Sequence, residues 1–170
     1  MDRPQTRMRF SGKAAAVSCA VAAAVVLIPT LTRSQPASTP FPPHSASKMS
    51  HRVVIQVTQN DPAIMNMALN NAENLVKYYK EKGEPLQVEL VAYGPGLTMM
   101  RDDTSPVKDR LAAMSGSTKN VVFTGCGNTL TAQSKQENKE ITLVSQARIV
   151  PAGIARIVEL EEQGWTYVRP

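Results

Sequence analysis

Residues 120–130 read N-V-V-F-T-G-C-G-N-T-L, a short strand that breaks on glycine, cysteine and glycine and leads into a helix start. Asn120 to Thr124 is β-branched and aromatic and carries no charge, as a buried strand requires. The spacing predicts that the strand ends before Gly125-Cys126-Gly127, and that Asn128 or Thr129 caps the helix beyond. A thiol between two glycines at a strand exit sits where the backbone turns sharply and small molecules approach. A helix N-terminus behind it favours the thiolate over the thiol. Against this stands the commoner fate of an unpaired cysteine, a small inert hydrophobe inside the core. The local pattern leaves both readings open.

Toward the N-terminus, H-R-V-V-I-Q-V-T at 51–58 predicts a strand whose centre, Val53 to Ile55, is buried on both faces. Asp61 as N-cap and Pro62 at the first helical position then open a helix. Its apolar stripe is Ile64, Ala68, Ala72, Leu75 and Tyr79, and it closes before Gly83. Asn66, Asn70 and Asn74 share one face of that helix, read as solvated, with a polar contact to another subunit as the alternative. Leu86 to Tyr93 is a second strand, ended by Gly94-Pro95-Gly96. That turn lacks the spacing and the lysine of a phosphate loop. Leu97 to Met100 predicts a helical turn. Asp102 and Asp103 have no histidine or further acid at ligand spacing, so they read as loop or cap residues and no metal is expected. Ser105-Pro106 starts a helix with Val107, Leu111 and Met114 inward, stopping near Gly116.

Toward the C-terminus, a surface helix runs from about Asn128 to Glu140, and a fourth strand is expected at Ala147 to Val150. Pro151-Ala152-Gly153 leads into a last helix with Ile154, Ile157, Val158 and Leu160 inward and Gly164 as its stop. Trp165 to Val168 completes the pattern as a fifth strand. The alternation predicts a single-domain α/β fold: a mainly parallel five-stranded sheet with helices on both faces. Ligands of such sheets bind beyond the carboxyl ends of the strands. This places Asn60, Asp61, Tyr93, Gly94 and Cys126 on a binding rim, together with Gly125, Gly127, Asn128 and Thr129.

The net charge of +5 is unevenly placed. The first fifty residues hold six of the nineteen basic side chains and one of the fourteen acidic ones, so the remaining thirteen of each cancel. A neutral domain has no overall attraction for a phosphate backbone, and no nucleic-acid partner is expected. Arg3, Arg7, Arg9 and Lys13 precede an apolar run from Ala14 to Ile28, the pattern of an export signal. Residues 1–33 therefore read as a signal peptide or N-terminal anchor, 34–50 as a Pro/Ser-rich linker, and 51–170 as the folded domain. The expected location is periplasmic or otherwise exported. Without cleavage, residues 14–31 would hold the protein at a membrane. Cys19 lies inside the apolar run, the wrong place for a lipid-bearing cysteine. Cys126 is then the single thiol of the mature chain and has no internal disulfide partner.

From His51 to Pro170 the chain resembles the DsrE/DsrF-like family of sulfur-relay proteins, in an exported, uncharacterised branch. The carrying segments are H-R-V-V-I-Q-V, A-L-N-N-A-E-N-L, V-V-F-T-G-C-G-N-T-L and V-P-A-G-I-A-R-I-V-E-L-E-E-Q-G-W-T-Y-V-R-P. The resemblance implies a compact α/β domain that assembles as trimers or hexamers. It also implies a cysteine, here Cys126, that carries sulfur as a persulfide between donor and acceptor proteins. The best-understood relays are cytoplasmic and work with sibling subunits, so the export signal departs from them. The expected function is sulfane-sulfur handling on Cys126, without a cofactor. With only His44 and His51 beyond the signal, no general base is identifiable, which argues against a Cys-His hydrolase. The alternative is a non-enzymatic oligomeric module that binds a small ligand or a partner, with Cys126 structural. Ile149, Ile154, Trp165 and Tyr167 crowd the C-terminal segment and predict self-association.

Overall fold

A computed structural model describes residues 50–170. The signal or anchor segment and nearly all of the linker lie outside the described residues. Five strands alternate with helices: β1 (His51–Val57), α1 (Pro62–Lys82), β2 (Leu86–Ala92), a 3₁₀ turn (Gly94–Met100), α2 (Lys108–Ser117), β3 (Val121–Cys126), α3 (Gly127–Glu137), β4 (Ala147–Val150), α4 (Gly153–Glu162) and β5 (Thr166–Val168). The strand order is β4-β3-β2-β1-β5, and every neighbouring pair is parallel. The expected α/β fold is the observed one.

Side chains alternate across the sheet and divide its two faces. Val53, Ile55 and Val57 of β1, Val88 and Leu90 of β2, and Val121 and Phe123 of β3 point to one face. There they join Met65, Leu69 and Ala72 of α1 and Leu111 and Met114 of α2 in the main core. Val54 and Val91 point the other way and meet Ile157 and Leu160 of α4, with Tyr93 and Trp165 at the margin. Among the described residues one helix covers the second face, and much of that face is left to polar side chains.

Helix α1 begins and ends as its sequence predicts. The Asp61 carboxylate accepts from the Ala63 N–H at 2.7 Å, Pro62 occupies the first turn, and Gly83 closes the helix at φ 63°. A left-handed residue there costs glycine nothing. Other expectations need correction. Strand β3 does not stop before Gly125; it continues through Cys126, pairing Gly125 with Ile149 and Cys126 with Val150. Helix α3 starts at Gly127 with Cys126 in the cap position, not Asn128 or Thr129, and ends at Glu137 on a left-handed Asn138. Helix α2 starts at Lys108, not at Ser105-Pro106, and ends at Ser117, beside the expected stop at Gly116. Ile154 and Val158 of α4 are not inward: they are 55% and 48% exposed. A single helix on a sheet buries only the narrow stripe that faces the strands, here Gly153, Ile157 and Leu160. Asn66 and Asn70 are not simply solvated either. Their side-chain oxygens accept from Arg110 at 2.7 and 2.9 Å and tie α1 to α2.

Candidate functional site

Connections from β1 to β4 advance in one direction across the sheet, and α4 then carries the chain back to β5 beside β1. Helix α3 leaves β3 toward the 3₁₀ turn and the main core, whereas α4 leaves β4 toward the opposite face. The carboxyl ends of β3 and β4 therefore diverge, which makes their gap the topological switch point where doubly wound sheets open a crevice. Cys126 ends β3 at this gap. Val150, its register partner, ends β4, and Gly153 opens α4 three residues later.

Cys126 lies on the α4 face of the sheet, two residues beyond Thr124. The helix N-termini of α3 and α4 both converge on it. The N–H groups of Asn128 and Thr129 from α3 and of Gly153 from α4 face the sulfur, as does the Thr129 hydroxyl. No capping hydrogen bond closes onto the thiol from α3. Asn128 also donates its N–H to the Pro151 carbonyl at 3.1 Å, so Gly153 and Thr129 are the freer donors. Burial raises the thiol pKa, but the Thr129 hydroxyl and the three N–H groups outweigh it, so the value lies below the ordinary one. The Thr129 oxygen accepts from the Gly94 N–H at 3.1 Å, which leaves its proton for the sulfur.

The flanking glycines do not give access to this thiol, contrary to the sequence reading. Cys126 is 6% exposed. Neither Gly125 nor Gly127 has a positive φ, so neither makes the sharp turn that the sequence predicted. They permit close packing instead. A Cβ at Gly125 would collide with the Leu143 side chain, and one at Gly127 would stand 3.2 Å from both Ile149 Cγ2 and the Val150 oxygen.

The rest of the predicted rim separates into three groups. Asn60, Gly94, Asn128 and Thr129 line an open cleft of about 750 Å³ between the 3₁₀ turn and α3. Thr129 stands between this cleft and Cys126, touching one and facing the other. Tyr93 lies on the opposite side of the thiol, its hydroxyl accepting from Gln56, which in turn accepts from the Tyr167 hydroxyl. Asp61 is engaged as the cap of α1 and does not line the cleft. At the far wall of the cleft, Arg101 is 4% exposed and forks onto Asp103 at 2.8 Å and Glu137 at 2.5 Å. Arg101 is held above its ordinary pKa by these two carboxylates; they drop in turn, Glu137 to about 2. Asp102 and Asp103 thus serve ion pairs, with Lys108 and Arg101 respectively, and among the described residues no group of His, Cys, Asp or Glu is placed to hold a metal.

No family model matches the chain, and no curated protein does. Among solved structures it is similar to MTH1491 from Methanobacterium thermoautotrophicum, a protein of unknown function. The two are 28% identical with a TM-score of 0.61, and the match covers 71% of this chain and 100% of that one. The likeness concerns the architecture and brings no activity with it.

Two residues that shape this region, Gly153 and Glu89, have no motif in the sequence. Gly153 reads as part of a helix start, yet its backbone roofs the thiol. Glu89 reads as one polar residue in a strand and is in fact the centre of a buried ion network on the same sheet face as Cys126. A signal existed for it: an acid among Val88, Leu90 and Val91 is a charge that must find partners when buried.

Proposed function

We propose that the protein is an exported sulfur carrier of the DsrE/DsrF-like kind, with Cys126 accepting and releasing sulfane sulfur. The observation that supports this best is the convergence of two helix N-termini and the Thr129 hydroxyl on one sulfur at the switch point. Such a setting favours the thiolate, the form that attacks. In the loading step the Cys126 thiolate attacks the outer sulfur of a donor persulfide. A new sulfur–sulfur bond forms at Cys126, the donor's own sulfur–sulfur bond breaks, and the donor departs as a thiolate. In the unloading step an acceptor thiolate attacks the outer sulfur of Cys126 persulfide and restores the Cys126 thiolate. Electron pairs balance in both steps, and neither needs a general base, a metal or an oxidant. The same N–H groups would hold the negative charge of the departing Cys126 sulfur.

The low exposure of Cys126 requires that α4 or the Thr129 side of the cleft yield when sulfur enters. The exposed Ile154 and Val158, one helical turn apart on α4, support self-association of the domain, with sedimentation at micromolar concentration as its check. The test of the carrier reading is intact mass after treatment with a small persulfide, with and without reductant. One added sulfur atom, removed by reductant and absent in Cys126→Ser, is expected; an unmodified wild-type protein ends the proposal.

A second reading follows from the 6% exposure itself: a binding module whose cleft takes a small polar molecule while Cys126 only packs. It predicts no sulfur loading and no alkylation of Cys126 until the protein unfolds.

A further inference from the structure

A second hollow, of about 680 Å³, opens on the same sheet face as Cys126 but toward the amino ends of the strands. Its floor is Glu89, which is 1% exposed. Both carboxylate oxygens of Glu89 are used. One accepts from the Thr124 hydroxyl at 2.8 Å and from Arg156 Nε at 3.0 Å; the other pairs with Arg148 at 2.6 Å and Arg156 at 2.9 Å. Arg148 also donates from Nε to the Thr124 oxygen at 3.0 Å. The two guanidinium groups are thereby locked in place by one carboxylate, which neutralises only one of them.

Lys119 stands on the wall of the same hollow and forms no ion pair among the described residues. Three cations thus face one carboxylate. Glu159, on the solvent side of α4, reaches Arg156 Nη1 at 3.5 Å, and a positive surplus remains even when it is counted. Planar guanidinium groups that are already fixed lose little freedom when their outer N–H groups take an oxyanion. Val122 and Trp165 add apolar surface to the lining beside them, among the polar Gln87 and Asn120.

We infer that this hollow binds a small organic oxyanion. Its carboxylate, sulfonate or phosphate head lies against Arg148, Arg156 and Lys119, and its flat apolar body lies against Val122 and Trp165. The inference does not rest on the chemistry of Cys126. Trp165 is the single tryptophan of the chain, so its fluorescence reports this hollow directly.

The experiment titrates the protein at constant ionic strength with benzenesulfonate, benzoate, phenyl phosphate, inorganic sulfate and chloride. A saturable change in Trp165 fluorescence is expected with at least one organic anion. It should occur at concentrations roughly tenfold below those of inorganic sulfate, the worth of about 1.4 kcal/mol of apolar contact. Which head group binds tightest identifies the ligand class. Arg148→Gln should weaken binding roughly tenfold, the loss of one charge-assisted contact. Lys119→Gln should weaken it severalfold and, having no ion-pair partner to lose among the described residues, should leave the melting temperature unchanged. The second variant therefore answers the question even if the first fails to fold. A response equal to that of chloride, or one that both variants leave untouched, overturns the inference. Inorganic sulfate binding as tightly as the organic anions overturns its apolar half.

Discussion

Gly153 and Cys126 meet across the switch point so closely that a Cβ on Gly153 would stand 3.1 Å from the Cβ of Cys126. The same atom would be 3.0 Å from the Cβ of Tyr93. Both neighbours are Cβ atoms fixed to strand-end backbone, so neither swings aside as the tip of a flexible side chain would. Gly153→Ala should therefore destabilise the fold by about 1–3 kcal/mol, the usual range for overpacking. It should also move the α4 N-terminus off the thiol. Chemical denaturation measures the first effect, and the pH midpoint of alkylation measures the second, with an upward shift expected.

Thr129 supplies the largest of the influences that lower the Cys126 pKa, second in size only to the burial that opposes them. Alkylation of the folded protein by iodoacetamide should show a midpoint below that of free cysteine. Thr129→Val should bring the midpoint up and slow the reaction severalfold at neutral pH, whereas Thr129→Ser should restore it. Equal midpoints in all three proteins would show that the hydroxyl plays no part.

Glu89 is the buried carboxylate whose loss leaves two guanidinium groups, one of them half-buried, without their shared partner. Glu89→Gln should cost about 3–5 kcal/mol, as breaking a buried ion pair does. Its acid dependence has a definite sign. Burial raises the Glu89 pKa, but the bonds from Arg156, Arg148 and Thr124 outweigh it and the folded value lies below 4.5. The stabilisation is full above 4.5 and is lost as pH falls through the lowered folded value. The gap between wild type and Glu89→Gln in urea titrations should thus narrow below pH 4.5 and stay constant from there to neutrality.

Arg101 joins the exit of the 3₁₀ turn to the last turn of α3, through Asp103 and Glu137. Lysine keeps the charge but replaces the planar guanidinium, which meets both oxygens of each carboxylate, with a single ammonium. Arg101→Lys should lower stability by about 1 kcal/mol, the order of one hydrogen bond lost between a buried guanidinium and carboxylates that solvent reaches. Because Glu137 titrates only near 2, the wild-type cross-link should persist through mild acid and fail as pH drops toward that value. Hydrogen exchange of the α3 amides, compared between wild type and variant, gives the local readout.

Local pattern carried the architecture well. The cap at Asp61, the stop at Gly83, the strand at Ala147–Val150 and the alternation of strands and helices all follow from neighbours within a few residues. Placing Cys126 at a strand's carboxyl end needed no more than that. It failed where the outcome depends on what lies opposite in space. Gly125 reads as a strand breaker, yet it pairs with Ile149, and the Leu143 side chain occupies the room a Cβ would need. Ile154 and Val158 read as core, yet they face outward because one helix on a sheet buries a narrow stripe.

The sequence by itself determined the class of fold, the order of its elements and the end of the sheet to which the thiol belongs. Hydrophobic period and capping are short-range properties, and a parallel βα alternation admits few topologies. Only the tertiary structure decided that the thiol is covered, that Gly153 is its roof, and that Glu89 draws Arg148 and Arg156 together. Those contacts join residues 24 to 67 positions apart, through bonds such as Arg148 to Thr124 and Arg156 to Glu89. They depend on strand register and on the face each side chain takes. Both are set only when β4 docks beside β3 and α4 crosses the sheet, and no local spacing encodes them.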